Sequence, residues 1–229
     1  MADIICVIGN KGGTGKTTIS HMLCQGMGLL GQRSVCVLTD SYREPLDPRG
    51  RRYLVADARS REALTKVTSK IRSLKSWMGV IDGGGNRTEM DRNLYGVADL
   101  VLLPFRDSHE DIRTVIRDLD MFPRAYAIPS QWPTNVWQRE AAERTIDEFL
   151  VRFGDRILSP VATLSASKHL LQKTIPGNLP SQLANASRGI ARQVLDLLQI
   201  SFDDAEDLVE DGPATRPANG RASPAAMAA

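Results

Sequence analysis

The stretch Lys11-Gly12-Gly13-Thr14-Gly15-Lys16-Thr17-Thr18 packs two lysines, three glycines and three hydroxyls into eight positions. Glycine-rich backbone can turn its N–H groups inward around an anion, because no Cβ obstructs them. The apolar segment Ile4-Ile5-Cys6-Val7-Ile8 precedes this stretch, and a helix-like run, Ile19 to Leu30, follows it. A helix beginning there adds unpaired donors and its positive dipole end. Strand, glycine loop and helix in that order form the setting of a phosphate-binding loop. Lys16 would supply a point charge to the β and γ phosphates, and the Thr17 hydroxyl would ligate Mg²⁺. Gly12, Gly13, Thr14, Gly15 and Thr18 would complete the nucleotide cradle.

Two acids close apolar strands, where parallel sheets bind their ligands. Asp82 ends Val80-Ile81-Asp82 and is placed to hold Mg²⁺ through water. Asp40 follows Leu38-Thr39 at the end of Val35-Cys36-Val37-Leu38.

The rest of the chain supplies the frame. Further strands are expected at Tyr53 to Ala56, Ala98 to Phe105, Ala125 to Ile128 and Ile157-Leu158. Helical spacing covers Leu64 to Trp77, Asp111 to Met121, Gln138 to Phe153 and Leu183 to Leu198. Strands alternating with helices predict an α/β domain, a mostly parallel twisted sheet with helices on both faces, over residues 1–200. From about Ser201 the apolar periodicity stops. Residues 201–229 hold six acids and two bases and then run into Ala, Pro and Gly, so a disordered acidic tail is expected.

Composition is that of a globular protein, at 42% hydrophobic and 24% charged residues. No apolar run approaches the roughly 18 residues that a membrane span requires, and Met1-Ala2-Asp3 leads directly into a strand without room for a signal peptide. A cytoplasmic location is expected. Cys6, Cys24 and Cys36 sit in apolar segments and read as buried, reduced thiols. His21, His109 and His169 lack metal-ligand spacing and read as surface or capping residues. Trp132 and Trp137 read as packing residues.

The loop departs from the strict G-x-x-x-x-G-K-[ST] pattern, because Asn10 stands at its first glycine. With its second lysine, the run K-G-G-x-G-K-T-T resembles the deviant Walker loop of the ParA/MinD ATPases. The segments Val80-Ile81-Asp82-Gly83-Gly84-Gly85-Asn86 and Ala98-Asp99-Leu100-Val101-Leu102-Leu103-Pro104 resemble a second block of small ParA-like proteins. The resemblance is close over residues 3–128 and looser over 129–200. There Ile128-Pro129-Ser130-Gln131-Trp132-Pro133 replaces the usual segment near the base. It implies a P-loop NTPase fold, use of ATP and Mg²⁺, and an ATP-bound homodimer in which Lys11 crosses to the partner's phosphates. It makes Asp40 the residue that positions the attacking water. Leu38 stands where the family carries the first acid of D-x-D.

The resemblance further implies a ParB-like activator and positioning of DNA, or of another cargo, over the nucleoid. Residues 1–200 carry net charge +6 against −4 in the tail, which suits contact with a polyanion. On the last helix Arg188 and Arg192 lie one turn apart, opposite Leu183, Ile190, Val194 and Leu197. With Lys168 and Lys173 they are the candidate contacts for DNA phosphates. A MinD-like membrane-cycling regulator is the alternative, disfavoured by the acidic tail. A scaffold that binds ATP with little hydrolysis is another, kept open by Leu38.

Overall fold

The computed structural model describes residues 2–40, 46–84 and 88–200. The expected tail over 201–229, part of the 41–51 loop, and Gly85-Asn86 lie outside the described residues. Among the described residues, six strands form one all-parallel sheet in the order β3-β2-β4-β1-β5-β6. They are β1 (Asp3–Val7), β2 (Arg33–Leu38), β3 (Leu54–Asp57), β4 (Trp77–Asp82), β5 (Leu100–Phe105) and β6 (Ala125–Pro129). The sheet is buried on both faces, which is why β4 and β5 read as continuous apolar runs without alternation.

Among the described residues, six α-helices cover it: α1 (Lys16–Leu29), α2 (Arg61–Ser73), α3 (Thr88–Val97), α4 (His109–Met121), α5 (Val136–Phe149) and α6 (Ser181–Leu197). One core joins Ile4, Cys6 and Ile8 to Ile71 of α2, Leu94 of α3 and Ile112, Val115 and Leu119 of α4. The other joins Ile5, Val7 and Leu38 to Ile19 and Leu23 of α1 and Ile190 and Val194 of α6. Odd and even residues of β1 therefore serve opposite faces. In register, both Val7 and Leu38 pair with Asp82, so three strands end at one level. That edge gathers the glycine loop, Asp40 and Asp82.

Several boundaries differ from expectation. The helix expected to run to Trp77 stops at Ser73, because Leu74 turns extended and Ser76 takes φ 58°, releasing Trp77 into β4. The helix expected over 138–153 breaks into α5 and a 3₁₀ segment, Val151–Arg156, where Phe153 leaves helical geometry. Ile157-Leu158 is no strand: a single bridge links Ile157 to Ala127. His21 is not a surface residue; it is fully buried, with Nδ1 2.8 Å from the Tyr53 hydroxyl. Trp132 packs in the interior, but Trp137 is 79% exposed. The three cysteines are free and buried.

Helices α1 and α6 touch so closely at Gly26 that a Cβ there would lie 1.9 Å from the Ser187 carbonyl oxygen and 2.9 Å from the Ala191 Cβ. Gly26→Ala forces the two helices apart. We expect it to lower the unfolding free energy by about 1–3 kcal/mol, read as a lower urea midpoint. An unchanged midpoint would mean that this contact is not close-packed.

Candidate nucleotide site

The loop leaves β1 through Gly9, at φ 144°, and then places Gly13 at 78° and Gly15 at 87°. Gly13 and Gly15 thus sit where side chains are strained. Its carbonyl oxygens are engaged by protein donors. Lys16 Nζ donates to the Lys11 carbonyl at 2.6 Å. Ser130 Oγ donates to the Thr14 carbonyl at 2.6 Å, and Gln131 Nε2 to that of Gly13 at 3.0 Å. Ser130 and Gln131 come from the exit of β6, the segment whose sequence departs from the ParA-like pattern near the base. In the structure they grip the loop.

Gly15 caps α1 with φ 87° and has no side chain to occupy the first-turn N–H groups. Ser60 and Ser108, by contrast, cap α2 and α4 with their hydroxyls. The start of α1 is therefore open to an external anion.

A cleft of about 390 Å³ lies over the loop, lined by Gly12, Gly13, Gly15, Lys16, Thr17, Thr18, Asp40, Asp82 and Gln131. The structure thus brings the sequence-expected phosphate and Mg²⁺ residues to one place. Asp82 is 2% exposed; its Oδ1 accepts from Ser20 Oγ at 3.5 Å, and its carbonyl accepts from Thr39 Oγ1 at 2.7 Å. Among the described residues no group of three His, Cys, Asp or Glu could hold a metal. The two residues expected in sequence to hold Mg²⁺, Thr17 and Asp82, both line the cleft and bring one hydroxyl and one carboxylate to it.

Lys16 is 7% exposed. Burial pulls its ammonium below the ordinary value, while Asp91, Asp82, Asp118 and Asp111 pull it back up. Leu38 is 3% exposed and packs against the α1–α6 side of the sheet. It belongs to the core and offers the cleft no chemistry.

Lys11 does not line this cleft. Its ammonium lies 2.8 Å from Glu110 Oε2 and pairs with Asp111 Oδ1, both at the start of α4. Farther along α4, Asp118 accepts from the Asn10 N–H at 3.2 Å and from Asn10 Nδ2 at 2.6 Å. Sequence reasoning missed these acids. The available signal was a carboxylate at two positions seven apart, Asp111 and Asp118, each directly before an apolar residue of the buried stripe, Ile112 and Leu119.

A second pocket of about 400 Å³ shares Gly15, Thr18 and Gln131 with the cleft and continues to Ile19, Met22, Val161, Leu164, Lys168 and Leu171. Its walls are mainly apolar. Lys168 therefore stands beside this pocket, while Lys173 and Arg192 are exposed and Arg188 is half-buried with its guanidinium on Asn185 Oδ1 at 2.8 Å.

No protein-family model matches the sequence, and no curated protein matches it. Solved structures do match in fold. The ATP complex of a Cyanothece McdA variant shares 18% identity at a TM-score of 0.62, covering 87% of this chain and 97% of that one. MinD from Aquifex aeolicus shares 18% at 0.66, covering 85% and 97%. The pNOB8 ParA bound to nonspecific DNA shares 13% at 0.60, covering 87% and 99%. The fold is that of the ParA/MinD P-loop ATPases. Among the described residues no helix is long and apolar enough to cross a membrane.

Asp111 is 1% exposed. Burial pushes its carboxyl upward, but hydrogen bonds from Arg106 and Lys11 outweigh burial and hold it at about 2. A carboxyl depressed below its unfolded value of about 4 stabilises the fold above that pH, and the stabilisation is lost as pH falls toward 2. Urea midpoints measured from pH 5 to pH 2 should fall less steeply in Asp111→Asn, which also starts lower at neutral pH. Equal slopes for the variant and the parent would contradict this.

Proposed function

We propose that this chain is a ParA-like, Mg²⁺-dependent ATPase that closes as an ATP-bound homodimer and positions a cargo over the nucleoid by gripping DNA without reading its sequence. The cytoplasm is its proposed location, and a ParB-like protein its proposed activator. The observation that carries this reading is the cleft where Gly13, Gly15, Lys16, Thr17, Asp40 and Asp82 meet. ATP phosphates would lie on the loop's N–H groups and the open start of α1, with Lys16 at the β/γ bridge. Thr17 and Asp82 would hold Mg²⁺, which neutralises phosphate charge when bound. The adenine would occupy the neighbouring apolar pocket, against Ile19, Met22 and Leu164.

Asp40, at the cleft wall, would orient the attacking water. Lys11 of each chain would neutralise charge on its partner's nucleotide, the main device in phosphoryl transfer. Arg188, Arg192, Lys168 and Lys173 are the proposed DNA contacts. Support for DNA comes from the fold shared with pNOB8 ParA, whose structure holds nonspecific DNA. A second reading, an ATP-locked scaffold with little turnover, is favoured by Leu38, whose burial leaves Asp40 as the remaining acid of the pair.

A mobility shift on two unrelated duplexes tests the reading. With Mg²⁺ and a slowly hydrolysed ATP analogue, the parent protein should retard both duplexes equally, and the shift should weaken steeply with salt. Lys11→Ala should fail to shift, for want of a dimer. The pair Arg188→Glu and Arg192→Glu should dimerise without shifting. With ATP itself the parent's shift should decay with time, and that of Asp40→Ala should persist; a parent shift that also persists favours the scaffold. Absence of any nucleotide-dependent shift would overturn the DNA reading.

A further inference from the structure

Lys11 has a partner of its own chain in this conformation. Its backbone is fixed, since its carbonyl accepts from Lys16 Nζ and the preceding Asn10 is tied to Asp118. Its side chain runs to the start of α4, onto Glu110 and Asp111. The two acids differ. The Glu110 side chain is 82% exposed and contributes a weak, solvent-screened contact. Asp111 is buried, and its two oxygens have separate cations: Oδ1 meets Lys11, while Oδ2 accepts from Arg106 Nε at 2.8 Å and from the Arg106 N–H at 3.2 Å.

An ion pair that is broken inside a protein normally strands a buried charge. Asp111 avoids this, because it keeps Arg106 when Lys11 leaves. The Lys11 contact is therefore releasable, whereas the Asn10–Asp118 contact is an anchor that can persist in either state.

We propose that Glu110 and Asp111 form an internal latch that holds Lys11 away from a partner's nucleotide, so that dimer closure must first open one latch in each chain. This rests on the reading of Lys11 as a residue that acts across the dimer. One ammonium cannot neutralise α4 and a partner's phosphates at once. Whatever favours the latched state raises the protein concentration needed for the nucleotide-bound dimer, because only a difference in affinity between two states shifts their balance. The latch would keep stray dimers scarce until phosphate charge competes Lys11 away from two carboxylates.

The test uses full-length protein, Mg²⁺ and a slowly hydrolysed ATP analogue, with the monomer–dimer midpoint followed by sedimentation velocity across a dilution series. Glu110→Gln, at an exposed position, should fold normally. It should lower the midpoint roughly twofold to tenfold, the small effect of an exposed pair counted once in each chain. Asp111→Asn should lower it further. In nucleotide-free protein, acylation of the Lys11 amine followed by mass spectrometry should be faster in Glu110→Gln than in the parent. A midpoint unmoved or raised in Glu110→Gln, or an unchanged acylation rate, overturns the latch. If the parent forms no nucleotide-dependent dimer, the dimeric reading falls and the latch falls with it. A parent dimer with an indifferent Glu110→Gln variant sinks the latch alone.

Discussion

A buried ammonium has to be matched by negative charge, and much of this structure is arranged around that need. Lys16 sits almost out of solvent at the start of α1, where the helix dipole is also positive. Two neighbouring positive features would repel each other if nothing opposed them. Asp82 on β4, Asp91 on α3, and Asp111 and Asp118 on α4 supply the opposing field. Each belongs to a different part of the chain from the glycine loop. The sheet order, with β1 between β4 and β5, is what brings them together. The same arrangement leaves the first turn of α1 facing a cleft, with no side chain capping it.

The elements behind the loop are organised to hold it still. From one side, Asp118 binds Asn10, the residue that replaces the usual first glycine. From the other, Ser130 and Gln131 bind the carbonyl oxygens of Thr14 and Gly13. Both grips come from segments that directly follow strands on one side of β1, α4 after β5 and the loop after the edge strand β6. A loop held in this way loses little further entropy on meeting its ligand. Gly15, Thr18 and Gln131 line both the cleft over the loop and the apolar pocket, so the two spaces adjoin along these three residues.

What could be read from sequence follows from how far each signal extends along the chain. The phosphate loop is local: eight consecutive residues, a preceding apolar run and a following helix specify it. The strand-ending acids Asp40 and Asp82 were legible because a parallel sheet puts its ligands at strand ends. The positions of the loop's holders were not. Asp111 and Asp118 are about a hundred residues from the loop they contact, and a carboxylate beside an apolar stripe on an amphipathic helix resembles an ordinary surface acid. Trp132 and Trp137 looked alike in sequence, yet the bridge from Trp132 to Ala162 draws one inward while α5 leaves the other in solvent. His21 was misplaced because its partner, Tyr53, lies 32 residues away, just before β3. Leu38 was visible as a departure from the family pattern, but its burial in the core required the packing of α1 and α6.

The proposed role of Lys16 is to hold the phosphates of a nucleoside triphosphate at this loop. Calorimetric titration of Mg²⁺-ATP into the parent protein and into Lys16→Ala tests this, with circular dichroism to show that both are folded. The parent should bind saturably, and the variant should lose about tenfold to a hundredfold in affinity, the range for a charge-assisted hydrogen bond. Parent-like affinity in a folded Lys16→Ala, or no heat of binding in the parent, would contradict it.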